Sequence, residues 1–210
     1  MNLSEMRITV RRDLHDEEVS NNRWIDNEID RHIDHAVKDF SEAIPDELRL
    51  VKPTVANSRT LDISDITERV MVEAIEYPVE QFPPHFQRFT IWGNVLTILG
   101  DEIPDGSNTY IYYGRLHTLD AQGSTIPARY KDLVATGAAG YAAVQWASYA
   151  INQVNAGGLQ TPDEFRSWGK DRLEQFYARL KVLSRKNKVR VRSLYRPYRV
   201  ATSSTNDYGP

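Results

Sequence analysis

The chain has 210 residues, with 26 Lys or Arg against 29 Asp or Glu, a formal net charge of −3 and 40% hydrophobic residues. That length supports one well-buried domain, or a domain with an embedded subdomain, without a metal or disulfide to hold it, and zero cysteines exclude disulfides and thiolate metal sites. A mean hydropathy of −0.54 fits a soluble protein. The weakly polar window at 133–151 is mostly Ala and Gly and is interrupted by Gln145 and Ser148, so it reads as no spanning helix.

The N-terminus reaches Arg11 and Arg12 without an apolar core and reads as no cleavable signal. Ile8, Val10 and Leu14 among Arg7, Arg11, Arg12 and Asp13 fit either a short helix or an extended arm. From about 26 to 43, Ile29, Ile33, Val37, Phe40 and Ile44 recur at steps of four and three and predict one apolar stripe on a helix, ended by Pro45.

Residues 48–119 change to short β-rich runs, predicted at 48–55, 60–63, 69–77, 86–99 and 110–116. The joints are written in turn residues: Asn57-Ser58, Phe82-Pro83-Pro84, and the loop from Ile103 through Pro104, Asp105 and Gly106 to Asn108. A small antiparallel sheet or barrel of about four to six strands is the simplest account.

Helical spacing returns over 127–155, with Gly157-Gly158 as its stop. Gly in a helix interior costs about 1 kcal/mol against Ala, so Gly137 and Gly140 predict close approach of another helix. Thr161-Pro162-Asp163-Glu164 reads as a capped helix start, continued by Phe165, Trp168, Leu173, Phe176, Leu180 and Leu183 to about Ser184. Beyond it Val189, Val191 and Leu194 alternate with Lys188, Arg190, Arg192 and Ser193, a change of period from helix to strand. Residues 201–210 form a polar tail.

Charge is divided along this layout. Residues 179–199 hold nine Lys or Arg and no acid, whereas residues 1–178 hold 28 acids against 17 bases and sum to −11. Such a division suits reaching for an acidic partner or a phosphate backbone. Arg179 to Lys186 read as an ordinary helix end, where cations favour the dipole. From Lys188 to Arg199, apolar residues alternating with cations and two Tyr anchors fit addition to, or threading into, a partner protein with an acidic groove, ahead of salt-dependent phosphate contact.

Other constellations read as structure. His32 and His35 stand three apart on the predicted helix, but no third ligand is marked and catalytic zinc sites need three. Asp101, Glu102 and Asp105 lack the alternating spacing of a calcium loop and read as a turn. Tyr110, Tyr112, Tyr113, Phe86, Phe89 and Trp92 have only Arg88 and Arg115 near them in sequence, so a half-buried sheet face or a subunit interface is preferred to a nucleic-acid stacking surface. No nucleophile elbow, phosphate-binding loop or metalloprotease helix is written in the chain, and the reading is of a non-enzyme.

Several pieces together resemble the head-to-tail adaptor, or connector, proteins of tailed bacteriophages. They are Trp24-Ile25-Asp26-Asn27-Glu28-Ile29-Asp30, Glu76-Tyr77-Pro78-Val79 with Phe82-Pro83-Pro84, the run from Leu99 to Gly106, Tyr113-Gly114-Arg115-Leu116-His117-Thr118-Leu119-Asp120, and the small-residue helix that follows. The β-rich insertion departs from simple adaptors and looks more like the larger gatekeeper-type connectors. The layout expected is α+β: a helical core at 1–47 and 126–187 with one N-terminal and two long C-terminal helices, a β-rich insertion at 48–125, and an extended basic arm at 188–210.

The resemblance implies a structural virion protein, assembled in the host cytoplasm into a dodecameric ring. The ring would sit below the portal protein ring, extend the DNA channel and bridge to the next neck, stopper or tail protein. DNA would pass through it without sequence-specific binding, and no membrane, metal or cofactor is implied. The portal-docking residues expected are Lys188, Arg190, Arg192, Leu194, Tyr195, Arg196, Tyr198 and Arg199. The alternative is a nucleic-acid-binding accessory protein using the same basic segment.

Overall fold

A computed structural model describes residues 1–18, 22–100, 102–150 and 162–195, with side chains as far as Asn187. Among the described residues the chain is mixed α+β, with four α-helices, two small antiparallel sheets and no closed barrel. The elements in order are α1 (Leu3–Asp13), α2 (Asp26–Ala43), β1 (Asp46–Pro53), β2 (Thr60–Asp62), β3 (Arg69–Glu76), β4 (Phe89–Trp92), β5 (Val95–Ile98) and β6 (Asn108–Arg115). A 3-10 turn at Ala128–Tyr130 then leads into α3 (Lys131–Ala150), and α4 (Pro162–Tyr195) follows.

The chain divides into two compact units, the first being Met1–Leu48, Ile66–Val72 and Tyr113–Ser184. Its N-terminal segment resolves the open choice between helix and arm in favour of a helix, and the cause is local. Asn2 Oδ1 accepts from the Glu5 backbone N–H at 2.9 Å and the Glu5 carboxylate accepts from the Asn2 N–H at 3.2 Å, a reciprocal capping box. The α2 stripe falls where its spacing places it, with Ile29, Ile33 and Phe40 at 1% exposure or less.

Small residues dominate α3 because helices close on it from more than one side: Gly137, Ala138, Ala139 and Gly140 are buried in succession, which a helix with one solvent face cannot achieve. A Cβ on Gly137 would stand 2.9 Å from the Phe176 ring, and one on Gly140 would stand 2.8 Å from Leu173 Cγ and 3.1 Å from the Gly169 carbonyl oxygen. The α3 and α4 backbones therefore approach to a distance that only glycine permits. Trp24 adds an aromatic nest to this core, with its ring centroid 6.0 Å from Phe165 and 6.4 Å from Trp146.

The second unit is Arg49–Asp65, Glu73–Tyr112 and Arg185–Pro210. The sheet that lies wholly in this unit has the order β2-β5-β4, and the chain's other sheet has the order β1-β6-β3. The β-rich run predicted at 86–99 contains a hairpin of β4 and β5. Trp92 pairs with Val95, so the loop is Gly93-Asn94, and Gly93 has φ of +59°. Positive φ at the first of two loop residues is the arrangement that fits the right-handed strand twist and selects Gly there. Alternation then sets the faces: Leu96 and Ile98 are fully buried, while Val95 and Trp92 face outward.

The largest difference from expectation lies at the end. The period was expected to change to strand after Lys188, but α4 continues to Tyr195, 34 residues in all, or about 51 Å at the α-helical rise. Extending a formed helix adds one hydrogen bond per residue fixed, and Lys, Arg and Leu are good helix formers. Two valines at 189 and 191 do not interrupt it, and the first proline after α4 begins is Pro197. The expected stop at Gly157-Gly158, the Thr161 cap and the polar tail at 201–210 lie outside the described residues.

Candidate functional site

The docking residues expected from the sequence fall into two groups. Lys188, Arg190, Arg192, Leu194 and Tyr195 occupy the last two turns of α4, while Arg196, Tyr198 and Arg199 lie outside the described residues. What anchors the helix that carries them is well defined. Phe176, Leu180 and Leu183 are buried at 0%, 5% and 8% exposure, a seam at steps of four and three that holds α4 in the first unit up to Ser184.

A polar cluster that sequence reasoning missed joins α2, α3 and α4. The Tyr141 hydroxyl donates to Asp39 Oδ2, the Tyr177 hydroxyl donates to the same oxygen at 3.2 Å, and the two phenols also meet each other. Burial and the neighbouring carboxylate both raise the Tyr141 pKa, so the phenol keeps its proton as the donor. His35 lies flat on Tyr141, with centroids 4.0 Å apart and planes within 11°. Its ring serves as a stacking partner.

His32, one turn earlier, behaves differently. It is 5% exposed, its Nε2 makes no hydrogen bond of good geometry, and the Gln145 side chain acts on the ring as a hydrogen-bond partner. Burial is the largest influence and the nearby Arg31 charge acts in the same direction, pushing the imidazole down to about 4, so at neutral pH the ring is uncharged. The His32 and His35 pair thus places one ring in the core and one on a phenol, not two rings on one exposed face. Among the described residues no three His, Asp or Glu side chains are grouped to hold a metal ion.

His117 is buried and fully used. Its Nε2 donates to the Ile44 carbonyl at 3.0 Å, its Nδ1 meets the Thr125 hydroxyl at 2.8 Å, and its backbone N–H donates to Ser41 Oγ at 2.9 Å. It fastens the end of α2 to the chain following β6, and burial lowers its pKa.

In the second unit, Asp105 is committed to a turn. Its Oδ1 accepts from the Ser107 N–H at 2.8 Å and from the Tyr77 hydroxyl at 2.9 Å, and the Ser107 side chain, the Ser107 N–H and the Tyr77 hydroxyl, in that order, hold the carboxyl down at about 2. The aromatic face is acidic: Tyr112 donates to Glu76 Oε2 at 2.7 Å and Tyr110 donates to Glu80 Oε1 at 2.9 Å, with Arg49 over the Tyr110 ring at 4.4 Å. Carboxylates set at the edges of the two rings oppose a phosphate backbone there. Arg115 is occupied by Asp46 at 3.1 Å. Trp92, by contrast, is 89% exposed at the tip of the hairpin, and Phe82 is 98% exposed in the proline loop. Comparison with known proteins matched this chain to no protein-family model and to no curated protein.

Proposed function

We propose that this chain is a structural subunit of the head-to-tail junction of a tailed bacteriophage. It binds the portal ring, extends the DNA channel as a homo-oligomeric ring, and bridges to the next neck or tail protein, with no chemistry of its own. The observation that carries the reading is α4, which is rooted by Phe176, Leu180 and Leu183 and then runs on through the cation-only stretch to Tyr195. A helix that is anchored in the first unit and continues into a stretch of cations without acids suits docking on a partner with an acidic groove.

Further support comes from the second unit, where a Trp at a hairpin tip and a Phe between turns are exposed. Large aromatics at such positions are typical anchors of protein interfaces. In a ring, each subunit repeats the same small contact, so modest individual contacts gain from multivalency. The acidic phenol face disfavours a stacking platform for nucleic acid, which leaves the basic segment as the means of phosphate contact in the competing reading.

The two readings separate in one experiment. The purified chain is mixed with portal rings, and separately with duplex DNA across a salt series. The adaptor reading expects portal-bound rings and weak DNA association. Tight duplex binding with a steep salt slope, from a chain that stays monomeric beside a portal, would overturn it.

A further inference from the structure

We propose that the outward face of the β2-β5-β4 sheet pairs with the same face of a second copy of this chain, forming a two-fold dimer of the free protein. The sheet lies wholly within the second unit. Its inner side is core, with Leu61, Leu96 and Ile98 buried. Strand alternation puts the positions between them on the other side, and the register sets those in rows. Thr60, Thr97 and Thr90 form one row across the three strands, and Asp62, Val95 and Trp92 form the next. Leu99 extends the face, opposite Arg88, whose carbonyl oxygen accepts from the Leu99 N–H at 2.7 Å. Three large apolar side chains thus share one solvent-facing surface: Trp92 at 89% exposure, Leu99 at 55% and Val95 at 46%. Single exposed apolar residues are ordinary, whereas a group of them on one face marks an interaction site.

Charge at the corners of the face selects the occupant. β4 and β2 are the two edges of the sheet, and Arg88 and Asp62 stand at opposite ends as well as opposite edges, so they occupy diagonal corners. Both are exposed, and neither makes an ion pair among the described residues. Asp62 accepts from the Ser64 N–H at 3.0 Å and from the Ser64 hydroxyl at 2.9 Å, one bond to each oxygen, which leaves acceptor capacity on both for a guanidinium. Turning a second copy over about the other diagonal, which runs through Trp92, lays each Arg88 on the other copy's Asp62 and each Trp92 on its counterpart. The strands then cross at near right angles, one of the two standard ways in which sheets pack. A face with one cation and one acid placed in this way is complementary to itself.

The rows span about 10 Å across the strands and about 13 Å along them, a footprint well below the ~800 Å² per partner of a stable complex, so pairing is weak and concentration-dependent. The contact goes beyond the ring reading and does not depend on it, because it is two-fold whereas a ring contact is head-to-tail. Trp92 cannot bury against a second copy and against another protein at once, so the dimer belongs to the unattached chain.

The test uses the full-length chain. Sedimentation is followed over concentrations rising into the millimolar range, with the Trp92 indole signal observed by NMR. A reversible dimer is expected, and the Trp92 signal should move in step with it. Arg88→Asp and Asp62→Arg should each weaken pairing by at least about tenfold, since each sets like charges together twice. Arg88→Asp should leave the unfolding transition unchanged because the side chain is exposed. Mixed in equal amounts, the two variants should pair with each other as strongly as the unsubstituted chain pairs with itself, because every charged corner then meets its opposite. Loss of the Ser64 bonds in Asp62→Arg could not produce that rescue. A chain that stays monomeric, pairing indifferent to both substitutions, or a mixture that fails to restore it would each overturn the proposal. Rings that form undisturbed by either substitution, with no dimer beside them, overturn it and leave the ring reading standing. A charge-sensitive dimer of a chain that does not attach to portal rings supports it and removes the adaptor reading alone.

Discussion

Acidification should loosen this protein through His32. The imidazole is held at about 4 in the folded chain against an ordinary value of 6.5. A lowered folded pKa means that the unfolded chain binds the proton more readily, so stability is fully present above pH 6.5 and is lost as pH falls toward 4. A shift of that size corresponds to about 3 kcal/mol, with about 2 kcal/mol already gone at pH 5. The groups that face the ring are Glu28, Arg31 and His35 on α2 and Gln145 on α3. Denaturant unfolding at dilute protein concentration, from pH 7 down to pH 4, should be compared between the unsubstituted chain and His32→Gln. Carboxylate titrations are common to both and cancel in the difference. The stability advantage of histidine over glutamine should shrink by about 3 kcal/mol across that range. A difference that does not change with pH, or a His32 ring that titrates above 6 by NMR, would refute the reasoning.

Other substitutions probe the packing. Gly140→Ala gains about 1 kcal/mol of helix propensity but sets a methyl 3.1 Å from a backbone oxygen of α4, and overpacking of that kind costs about 1–3 kcal/mol; thermal unfolding should show net destabilisation, and a raised melting temperature would contradict the close approach. His117→Leu leaves the Ile44 carbonyl without its donor and the Thr125 hydroxyl with only the Thr118 N–H, and should cost about 1–3 kcal/mol in denaturant unfolding. Trp92→Ala removes a side chain that is 89% exposed, so stability should change by less than about 0.5 kcal/mol while attachment to a partner ring falls; unchanged attachment would take the hairpin tip out of the interface.

How much of this was legible in the sequence varied with the range of the forces involved. The α2 stripe was readable because its period is a local property, and the two glycines of α3 pointed to a close neighbour because their cost is local too. Two further local signals are written in the chain: Asn2 with Glu5 three residues on, which caps α1, and Gly93-Asn94, which turns the run at 86–99 into a hairpin. The extension of α4 was misread because alternation at Val189, Val191 and Leu194 looks like a strand, while the continuity of an established helix outweighs two β-branched residues. His32 and the Asp39, Tyr141 and Tyr177 cluster were beyond reach. Their character comes from helices more than 100 residues apart in the chain, with Asp39 and Tyr177 separated by 138 positions. Nothing in the local pattern of α2 distinguishes a histidine that α3 will bury from one left in solvent.

The central claim is that the basic end of α4 attaches this chain to the portal. Co-sedimentation with portal rings tests it directly, comparing the full-length chain with one ending after Asn187, with circular dichroism confirming that the shortened body is still folded. The account predicts that the folded, shortened chain no longer sediments with the ring. Equal sedimentation of the two would contradict it.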